Sequence, residues 1–399
     1  MYRKLRVTFE PRMGFFIKKI SKVILFVLDQ IAVFSISGKT SSGVALIRLD
    51  NIGDFILWLD TAKEYRRLYP KQKITLIANS AWADFARHFQ FWDEIWSLEI
   101  RKFGRDPFYR WSLLRRVRQA CFQTVIQPTF SRVLLLGDSL IRASAAEQRI
   151  GSVGDLANVS AKEKARSDRW YTRILAASPQ SMMELERNAE FISQLSGTSY
   201  VASLPRIPVL QALSEEKRPN VDYFILFPGA SWAGKQWPAS AFADLLRQLQ
   251  RQFSWQAVLC GSPAEAGLCA SIVLASGQDT CINLAGQTSL AELTELIRGA
   301  RLLVGNDTSA VHISAAVGTP AVCILGGGHY GRFMPYTPEL AGLKPVAATY
   351  KMPCYHCNWR CTQPHVLGGP LPCISKVSIA TVIASLHEAL MLEASNKHA

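Results

Sequence analysis

Residues 227–238 read Phe227-Pro228-Gly229-Ala230-Ser231-Trp232-Ala233-Gly234-Lys235-Gln236-Trp237-Pro238. An apolar run at 223–227 leads into this stretch, and a helical pattern at 238–253 follows it. A loop of small residues between a strand and a helix is a usual anion site, because the first N–H groups of a helix lack partners and its dipole is positive there. Lys235 adds a positive charge. The stretch therefore predicts a phosphate-binding loop in an α/β fold.

The sequence of this loop is close to a Walker A motif, because Gly229 is followed by four residues and then by Gly234-Lys235. That motif needs Ser or Thr next, to hold magnesium, whereas this chain has Gln236. The loop thus favours phosphate binding without magnesium. It argues against a P-loop-like nucleotide hydrolase, which is one alternative class of function.

Composition sets the outer bounds. A chain of 399 residues exceeds one ordinary core, so two domains are expected. A hydrophobic content of 49% with 19% charged residues describes a globular protein. The net charge of +14 indicates an anionic partner. No signal-peptide pattern is evident at the N-terminus, which favours a cytoplasmic location.

Strand and helix patterns alternate through 43–136 and again through 223–325, which predicts parallel sheets covered by helices. Residues 145–200 look mostly polar and helical. The expected organisation is a basic amphipathic segment 1–40, a first domain 41–205, a linker 206–220, a second domain 221–376 with a Cys-rich loop 354–373, and a C-terminal helix 377–399.

The segment 1–40 combines apolar residues at helical spacing, such as Phe16, Ile20 and Val23, with Lys18 and Lys19 off that stripe. This pattern is typical of a helix that lies on an anionic membrane surface. A core helix that docks on the first domain is equally consistent with it.

Gly53-Asp54 follows the first strand, at the end of the sheet where α/β proteins bind ligands. A carboxylate there can act as general base toward a hydroxyl, and Gly53 lets an acceptor approach closely. The alternative is that Asp54 caps the helix that follows.

Asn306-Asp307-Thr308-Ser309 also lies between a strand and a helix. Asp307 can accept hydrogen bonds from sugar hydroxyls, while Thr308 and Ser309 can meet a phosphate. The alternative is that Asp307 or Thr308 caps the helix and that His312 is a core residue.

Four cysteines, Cys354, Cys357, Cys361 and Cys373, have nearly the spacing of a four-thiolate site for structural zinc or iron, with His356 and His365 as substitutes. A disulfide pair and a reduced loop without metal are the alternatives. Residues 326–331 match a dinucleotide fingerprint by letter, but prolines follow instead of a helix, which predicts a flexible loop.

Several of these pieces together resemble glycosyltransferase family 9, the ADP-heptose:lipopolysaccharide heptosyltransferases and their relatives. The matching motifs are Arg48-Leu49-Asp50-Asn51-Ile52-Gly53-Asp54, Phe227-Pro228-Gly229 with Lys235-x-Trp237-Pro238, Ala285-Gly286-x-Thr288-Ser289-Leu290, Asn306-Asp307-Thr308-x-x-x-His312 and Gly318-Thr319-Pro320. The resemblance extends from about residue 43 to the end, and the order of the motifs makes it specific.

The resemblance implies a GT-B fold: two Rossmann-like domains with parallel sheets that face a central cleft, and a last helix that crosses back to the first domain. It implies inverting transfer of a sugar, heptose from ADP-heptose, without a catalytic metal. It also implies that Asp54 is the base and that Lys235 holds the donor diphosphate. The implied donor-binding residues are Gly229, Trp237, Gly286, Thr288, Asp307, Thr308, Ser309 and His312.

On the acceptor side, Gly53 and two residues of the basic segment 101–118, Arg110 and Arg115, are expected to meet a phosphorylated glycolipid. A solvated helix face is the alternative for the arginines. The implied setting is the inner face of the bacterial inner membrane, with no nucleic-acid partner. A related enzyme with another donor or a protein acceptor, and a non-catalytic nucleotide-sugar- or metal-binding module, remain alternatives, since Ser309 stands where many heptosyltransferases have Gly.

Overall fold

A computed structural model describes residues 25–27, 29–31, 43–277 and 280–397. Of the expected apolar stripe, Phe16, Ile20, Val23 and Phe34 lie outside these residues, whereas its members Val27 and Ile31 are described and are 49% and 59% exposed. The chain divides into two compact units. The first contains residues up to Asp50 together with Tyr65–Ala177, and the second contains Asn51–Glu64 together with Ser178–Ala399.

The first unit is built on a six-stranded parallel sheet in the order β3-β2-β1-β4-β5-β6. Its strands are β1 Val44–Arg48, β2 Ile74–Asn79, β3 Glu94–Leu98, β4 Thr124–Gln127, β5 Gln148–Ser152 and β6 Arg173–Leu175. Every residue of β1, β2 and β4 is buried, as expected for a parallel sheet covered on both faces.

Helices cover this sheet. They are Ala83–Ala86, Ile100–Phe103, Pro107–Gln119, Gly137–Ser144 and Ala161–Asp168. Strands β5 and β6 fall in the region predicted to be polar and helical, and the prediction is wrong at these two strands, although the region also contains helices Ala161–Asp168 and Glu184–Ser196. Strand β6 is at the edge of the sheet and β5 is next to it. Both carry polar residues, so they lack the apolar pattern by which a buried strand is recognised.

The second unit has a six-stranded parallel sheet in the order β12-β11-β10-β7-β8-β9. Its strands are β7 Tyr223–Phe227, β8 Gln256–Leu259, β9 Ile282–Asn283, β10 Leu302–Asn306, β11 Ala321–Leu325 and β12 Val346–Thr349. Its helices are Glu184–Ser196, Ala239–Gln252, Ala266–Ser276, Leu290–Gly299, Ser309–Val317, Pro372–Ser375 and Ile379–Lys397.

Helix Ile52–Leu68 begins in the second unit, although sequence analysis assigned residues 41–205 to the first domain. The buried carboxylate of Asp60 explains this placement, because a buried charge needs partners. It accepts hydrogen bonds from Ser203 N at 3.0 Å, Ser203 Oγ at 2.6 Å and Tyr200 OH at 3.0 Å. Residues 178–205 therefore also belong to the second unit.

The final helix packs on the sheet of its own unit. Val382, Leu386 and Ala389 are fully buried in the same core as Leu246 and Leu249. The expected packing of this helix back toward the first domain stays a prediction. No helix in the described ranges is long and apolar enough to span a membrane.

Candidate active site

The predicted phosphate-binding loop is fixed by one amide side chain, that of Asn306 at the end of β10. Asn306 is fully buried. Its Oδ1 accepts a hydrogen bond from Trp237 N at 3.0 Å, and its Nδ2 donates to Pro228 O at 2.7 Å and to Gly229 O at 3.2 Å. Both ends of the loop are thus hydrogen-bonded to the side chain of Asn306, a residue to which no role was assigned from the sequence.

The loop brings Lys235 to Asp307. Lys235 ends a short 3-10 turn, Ala233–Lys235, and Asp307 directly follows β10. The Lys235 Nζ lies 2.7 Å from Asp307 Oδ2, and the two side chains are only 14% and 7% exposed. Two residues expected at the donor site are therefore paired at the carboxyl end of a parallel sheet.

Trp237 does not line this site. Its side chain is 2% exposed, its ring packs edge-on against Phe242, and its Nε1 donates to Val377 O at 2.9 Å. The expectation that Trp237 binds the donor is therefore wrong, because the indole is part of the core. The helix after the loop begins at Ala239, with Pro238 as its N-cap residue.

Thr308 is the N-cap residue of helix Ser309–Val317, but its side chain makes no capping hydrogen bond. Its hydroxyl is buried and has no hydrogen-bond partner within the described part of the chain. A buried hydroxyl without a partner costs about 1–3 kcal/mol. The Thr308 hydroxyl is thus suited to a ligand, and the alternative that Thr308 caps the helix through its side chain is wrong.

Gly53 packs directly on this helix. A Cβ at residue 53 would lie 3.1 Å from His312 Cδ2 and 3.8 Å from Ser309 Cα. The absence of a side chain therefore serves the close approach of two helices, and the acceptor-side role expected for Gly53 stays a prediction. Asp54 lies in the first turn of helix Ile52–Leu68, two residues inside its start, so it is not the N-cap residue.

His312 is a buried support and not a charged ligand-binding group. Its Nδ1 lies 3.0 Å from Tyr336 OH, and the two rings stack. Burial lowers the pKa of His312 to about 4, with Lys235 also lowering it and Asp307 opposing the change. The ring is neutral at pH 7, as the alternative of a core histidine predicted.

Two glycines expected at the donor site allow neighbouring loops to meet. A Cβ at Gly229 would lie 1.9 Å from Glu265 Oε1. Gly286 has a φ of +76°, and a Cβ there would lie 2.7 Å from Pro263 Cα. Glu265 thus places a carboxylate beside Gly229, and the sequence analysis missed it. The Ser262-Pro263-x-Glu265 capping box was the available signal. Thr288, half-buried, lies in the loop that follows Gly286.

Residues 110–362, more than half of the chain, match the family described as Glycosyltransferase family 9 (heptosyltransferase). This chain belongs to that family. The predicted enzyme class, a glycosyltransferase, is confirmed at the level of the family.

Curated relatives in family 9 include two lipopolysaccharide heptosyltransferases. The chain is 37% identical to lipopolysaccharide heptosyltransferase 2 of Salmonella typhimurium over 119 aligned residues. This alignment covers 29% of this chain and 32% of the relative. The chain is 22% identical to lipopolysaccharide heptosyltransferase 1 of Pseudomonas aeruginosa over 298 aligned residues. That alignment covers 72% of this chain and 81% of the relative. The match thus spans about a third of the length of the first relative and most of the second.

Solved structures confirm the fold. The Escherichia coli ADP-heptose lipopolysaccharide heptosyltransferase II aligns with a TM-score of 0.64 at 18% identity, over 88% of this chain and 99% of that one. The iron-containing glycosyltransferase TibC of enterotoxigenic E. coli aligns with a TM-score of 0.53 at 14% identity, over 89% and 77%. The predicted GT-B class, with two parallel α/β sheets, is confirmed.

The Cys-rich loop of this family 9 chain packs on the glycines at 326–328, part of the predicted flexible loop, and covers them. Burial raises the pKa of the Cys373 thiol, and Cys357, Cys361 and Cys354 raise it further. Cys373 thus lies within electrostatic reach of the other three thiols. As placed, however, no group of three or more His, Cys, Asp or Glu side chains in the described ranges forms a metal-ligand set. The structural zinc or iron stays a prediction.

Of the two arginines expected on the acceptor side, Arg110 is fully buried. Its Nε and Nη2 donate to Asp29 Oδ1 at 2.5 Å and to Asp29 Oδ2 at 2.7 Å. Arg110 therefore holds the segment at 29–31 onto helix Pro107–Gln119 and is not available to an acceptor. Arg115 stacks on Trp111, with 4.7 Å between its guanidinium carbon and the ring centroid, and its acceptor role stays a prediction.

Proposed function

We propose that this family 9 chain is an inverting, metal-independent glycosyltransferase that moves heptose from ADP-heptose onto lipopolysaccharide or a related bacterial surface glycan. The observation that carries the proposal is the Lys235–Asp307 pair, 2.7 Å apart, next to the buried hydroxyl of Thr308, which has no hydrogen-bond partner among the described residues. A cation, an anion and a hydroxyl at the carboxyl end of a parallel sheet suit a sugar diphosphate. The names of the relatives support heptose and lipopolysaccharide.

The donor would enter by exchange of partners. Lys235 turns from Asp307 to the diphosphate, which carries more negative charge, and Asp307 then accepts hydrogen bonds from the sugar hydroxyls. The Thr308 hydroxyl and the first N–H groups of helix Ser309–Val317 supply further donors to the phosphates.

In the transfer step, the acceptor hydroxyl oxygen bonds to the anomeric carbon of the donor while the bond from that carbon to the phosphate oxygen breaks. Asp54 takes the hydroxyl proton, and the leaving nucleoside diphosphate takes the bonding electrons. Asp54 is in the first turn of a helix, where the dipole favours the charged carboxylate that a base needs. Attack from the face opposite the leaving group inverts the anomeric centre. Lys235 stabilises the negative charge that develops on the leaving diphosphate, which magnesium would otherwise neutralise.

The acceptor in this proposal is a phosphorylated glycolipid at an anionic membrane, with the enzyme attached peripherally on the cytoplasmic side. Helix Pro107–Gln119 supports this, because Phe108 is 85% exposed and Trp111 is 39% exposed. The exposed basic residues Arg101, Lys102 and Arg105 precede them. Exposed aromatic rings beside basic residues suit the headgroup region of an anionic bilayer.

The test is a donor screen with ADP-heptose and other nucleotide-sugars in the presence of EDTA. We expect ADP-heptose to raise the melting temperature of the protein, and we expect release of ADP only when a heptose-deficient lipopolysaccharide is added. Transfer from a different nucleotide-sugar, or to a protein, would replace the donor or acceptor proposed here. Binding without any transfer would instead favour a non-catalytic nucleotide-sugar-binding module.

A further inference from the structure

Lys235 has a second neighbour, the indole of Trp359 in the Cys-rich loop. The Lys235 Nζ lies 4.8 Å from the centroid of the Trp359 ring. Because the same Nζ is 2.7 Å from Asp307 Oδ2, the ammonium group contacts both a carboxylate and an aromatic face. All three residues belong to the second compact unit.

The loop holds Trp359 in place through an unusual backbone. His356, Asn358 and Trp359 have φ values of +67°, +50° and +60°. Such left-handed conformations are uncommon for residues other than glycine and persist where the surroundings enforce them. Here His356 N donates to Gly327 O at 2.7 Å and Asn358 N donates to Gly328 O at 3.0 Å, so the loop is bound to the glycines after β11.

The ring of Trp359 is also confined by its neighbours. A Cβ at Gly328 would lie 2.3 Å from Trp359 Cδ2. The rings of Trp232 and His329 meet it edge-on, at centroid distances of 6.0 Å and 5.8 Å. Trp232 in turn covers Gly234, where a Cβ would lie 1.9 Å from the Trp232 ring. The bulky Trp232 in the phosphate-binding loop thus completes the support of Trp359.

We propose that Trp359 is a positioning residue for Lys235, which it holds through a cation–π contact while the ammonium exchanges Asp307 for the donor diphosphate. Trp binds cations best among the aromatic side chains, and its ring carries no net charge to compete with a phosphate. Asp307 alone would hold Lys235 in the ion pair. The indole face gives the ammonium a second contact, which becomes stronger when the ion pair opens because the carboxylate then no longer competes with the ring for the ammonium. The exchange step rests on the proposed function, whereas the contact itself does not.

The contact is tested without any donor. Reductive methylation of the full chain with ¹³C-formaldehyde labels lysines and keeps their charge. We expect one methyl signal shifted upfield by the ring current of Trp359, and Lys235→Arg identifies it by its loss. Trp359→Leu should move this signal to the position of ordinary surface lysines, and Trp359→Phe should keep most of the shift. A Lys235 signal that is the same in wild type and Trp359→Leu would overturn the proposal.

A second variant guards against a folding defect in Trp359→Leu. Gly328→Ala keeps the indole but displaces it, since its Cβ would meet the ring at 2.3 Å. It should move the Lys235 signal, whereas Gly267→Ala, with no atom within 4 Å of the new Cβ, should leave it unchanged. Equal signals in the two glycine variants would also count against the proposal.

The kinetic consequence separates positioning from general support of the fold. Trp359→Leu should raise the KM for the donor by roughly two- to thirty-fold, the range of one cation–π contact, and Trp359→Phe should restore most of it. If the wild-type chain transfers no sugar, the proposed function fails while the methyl-signal result stands. An unchanged donor KM in Trp359→Leu, in an active enzyme, would overturn the positioning role.

Discussion

Asn306, a single amide behind the phosphate-binding loop, determines where Lys235 stands. It binds the backbone at residues 228, 229 and 237 and so closes the loop that carries the lysine. A side chain with one acceptor and two donor hydrogens is needed for this, and only Asn has that set at this length. The ion pair at the site therefore depends on a residue whose side-chain hydrogen bonds go to the loop backbone and not to Lys235 or Asp307.

Asn306→Ala should lower both stability and donor affinity. It leaves buried backbone groups of the loop without partners, each costing about 1–3 kcal/mol. The melting temperature and the affinity for ADP-heptose are the measurements. Ser271→Ala removes one exposed hydrogen bond, from Ser271 Oγ to Leu268 O, and is the matched control. An Asn306→Ala protein with the stability and affinity of the control would contradict this account of the loop.

His312 predicts how stability depends on pH. Its pKa is about 4 in the folded protein, below the value of about 6.5 in an unfolded chain. The unfolded chain therefore binds more protons between these values, so stability is complete above pH 6.5 and falls as the pH drops toward 4. At pH 5 this loss is about 2 kcal/mol.

His312→Gln lacks this titration, so its melting temperature should fall less than that of the wild type between pH 7.5 and pH 5. The other titratable groups are the same in both proteins, so their contribution cancels in the comparison. Parallel losses in the two proteins would show that His312 is not held neutral by burial.

At the scale of elements, continuous apolar strands were the easiest to predict. β1, β2, β7, β10 and β11 are buried at every residue, and their sequences are almost entirely apolar. The strands β5, β6 and β12 were missed, because short strands that carry polar or partly exposed residues have neither an apolar run nor clear alternation.

The same limit applies to the site. Strand ends and motifs predicted that Lys235 and Asp307 belong to one site, and the structure pairs them. The motif Lys235-x-Trp237-Pro238 does not indicate that the Trp237 side chain lies in the core, because the spacing of residues in a motif does not determine the direction of a side chain. Trp359 and Glu265 come from irregular loops, whose tertiary contacts leave no periodic signal.

Helix Pro107–Gln119 carries a prediction about membranes. Phe108 is 85% exposed and Trp111 is 39% exposed, so replacing both with Ser should reduce binding to vesicles that contain anionic phospholipid. Leu274→Ser is the matched control, because Leu274 is 84% exposed and belongs to the second unit. Co-sedimentation is the measurement, and equal binding by the double variant and the control would contradict a membrane role for this helix.

At the scale of the whole molecule, the number of sheets and the fold class followed from the alternation of strands and helices. The boundary between units did not. It was expected in the linker 206–220, whereas helix Ile52–Leu68 itself passes from one unit to the other after Glu64. Periodicity identifies the buried face of a helix but not the sheet that buries it.

This boundary bears directly on the proposed chemistry. The base candidate Asp54 was assigned to the acceptor domain, but it lies in the same compact unit as Lys235 and Asp307. Gly53, its neighbour, packs on His312 in helix Ser309–Val317, the helix that directly follows Asp307 and Thr308. The base and the donor-binding residues are thus built into one unit, which gives the base a fixed relation to that helix.

The transfer rate of Asp54→Asn with ADP-heptose and heptose-deficient lipopolysaccharide tests the central claim most directly. The amide keeps the size of the carboxylate but takes up no proton. We predict that it binds ADP-heptose as the wild type does and loses transfer by roughly 10²–10⁴-fold, the usual contribution of a general base. Transfer at the wild-type rate by this variant would contradict the claim that Asp54 is the base.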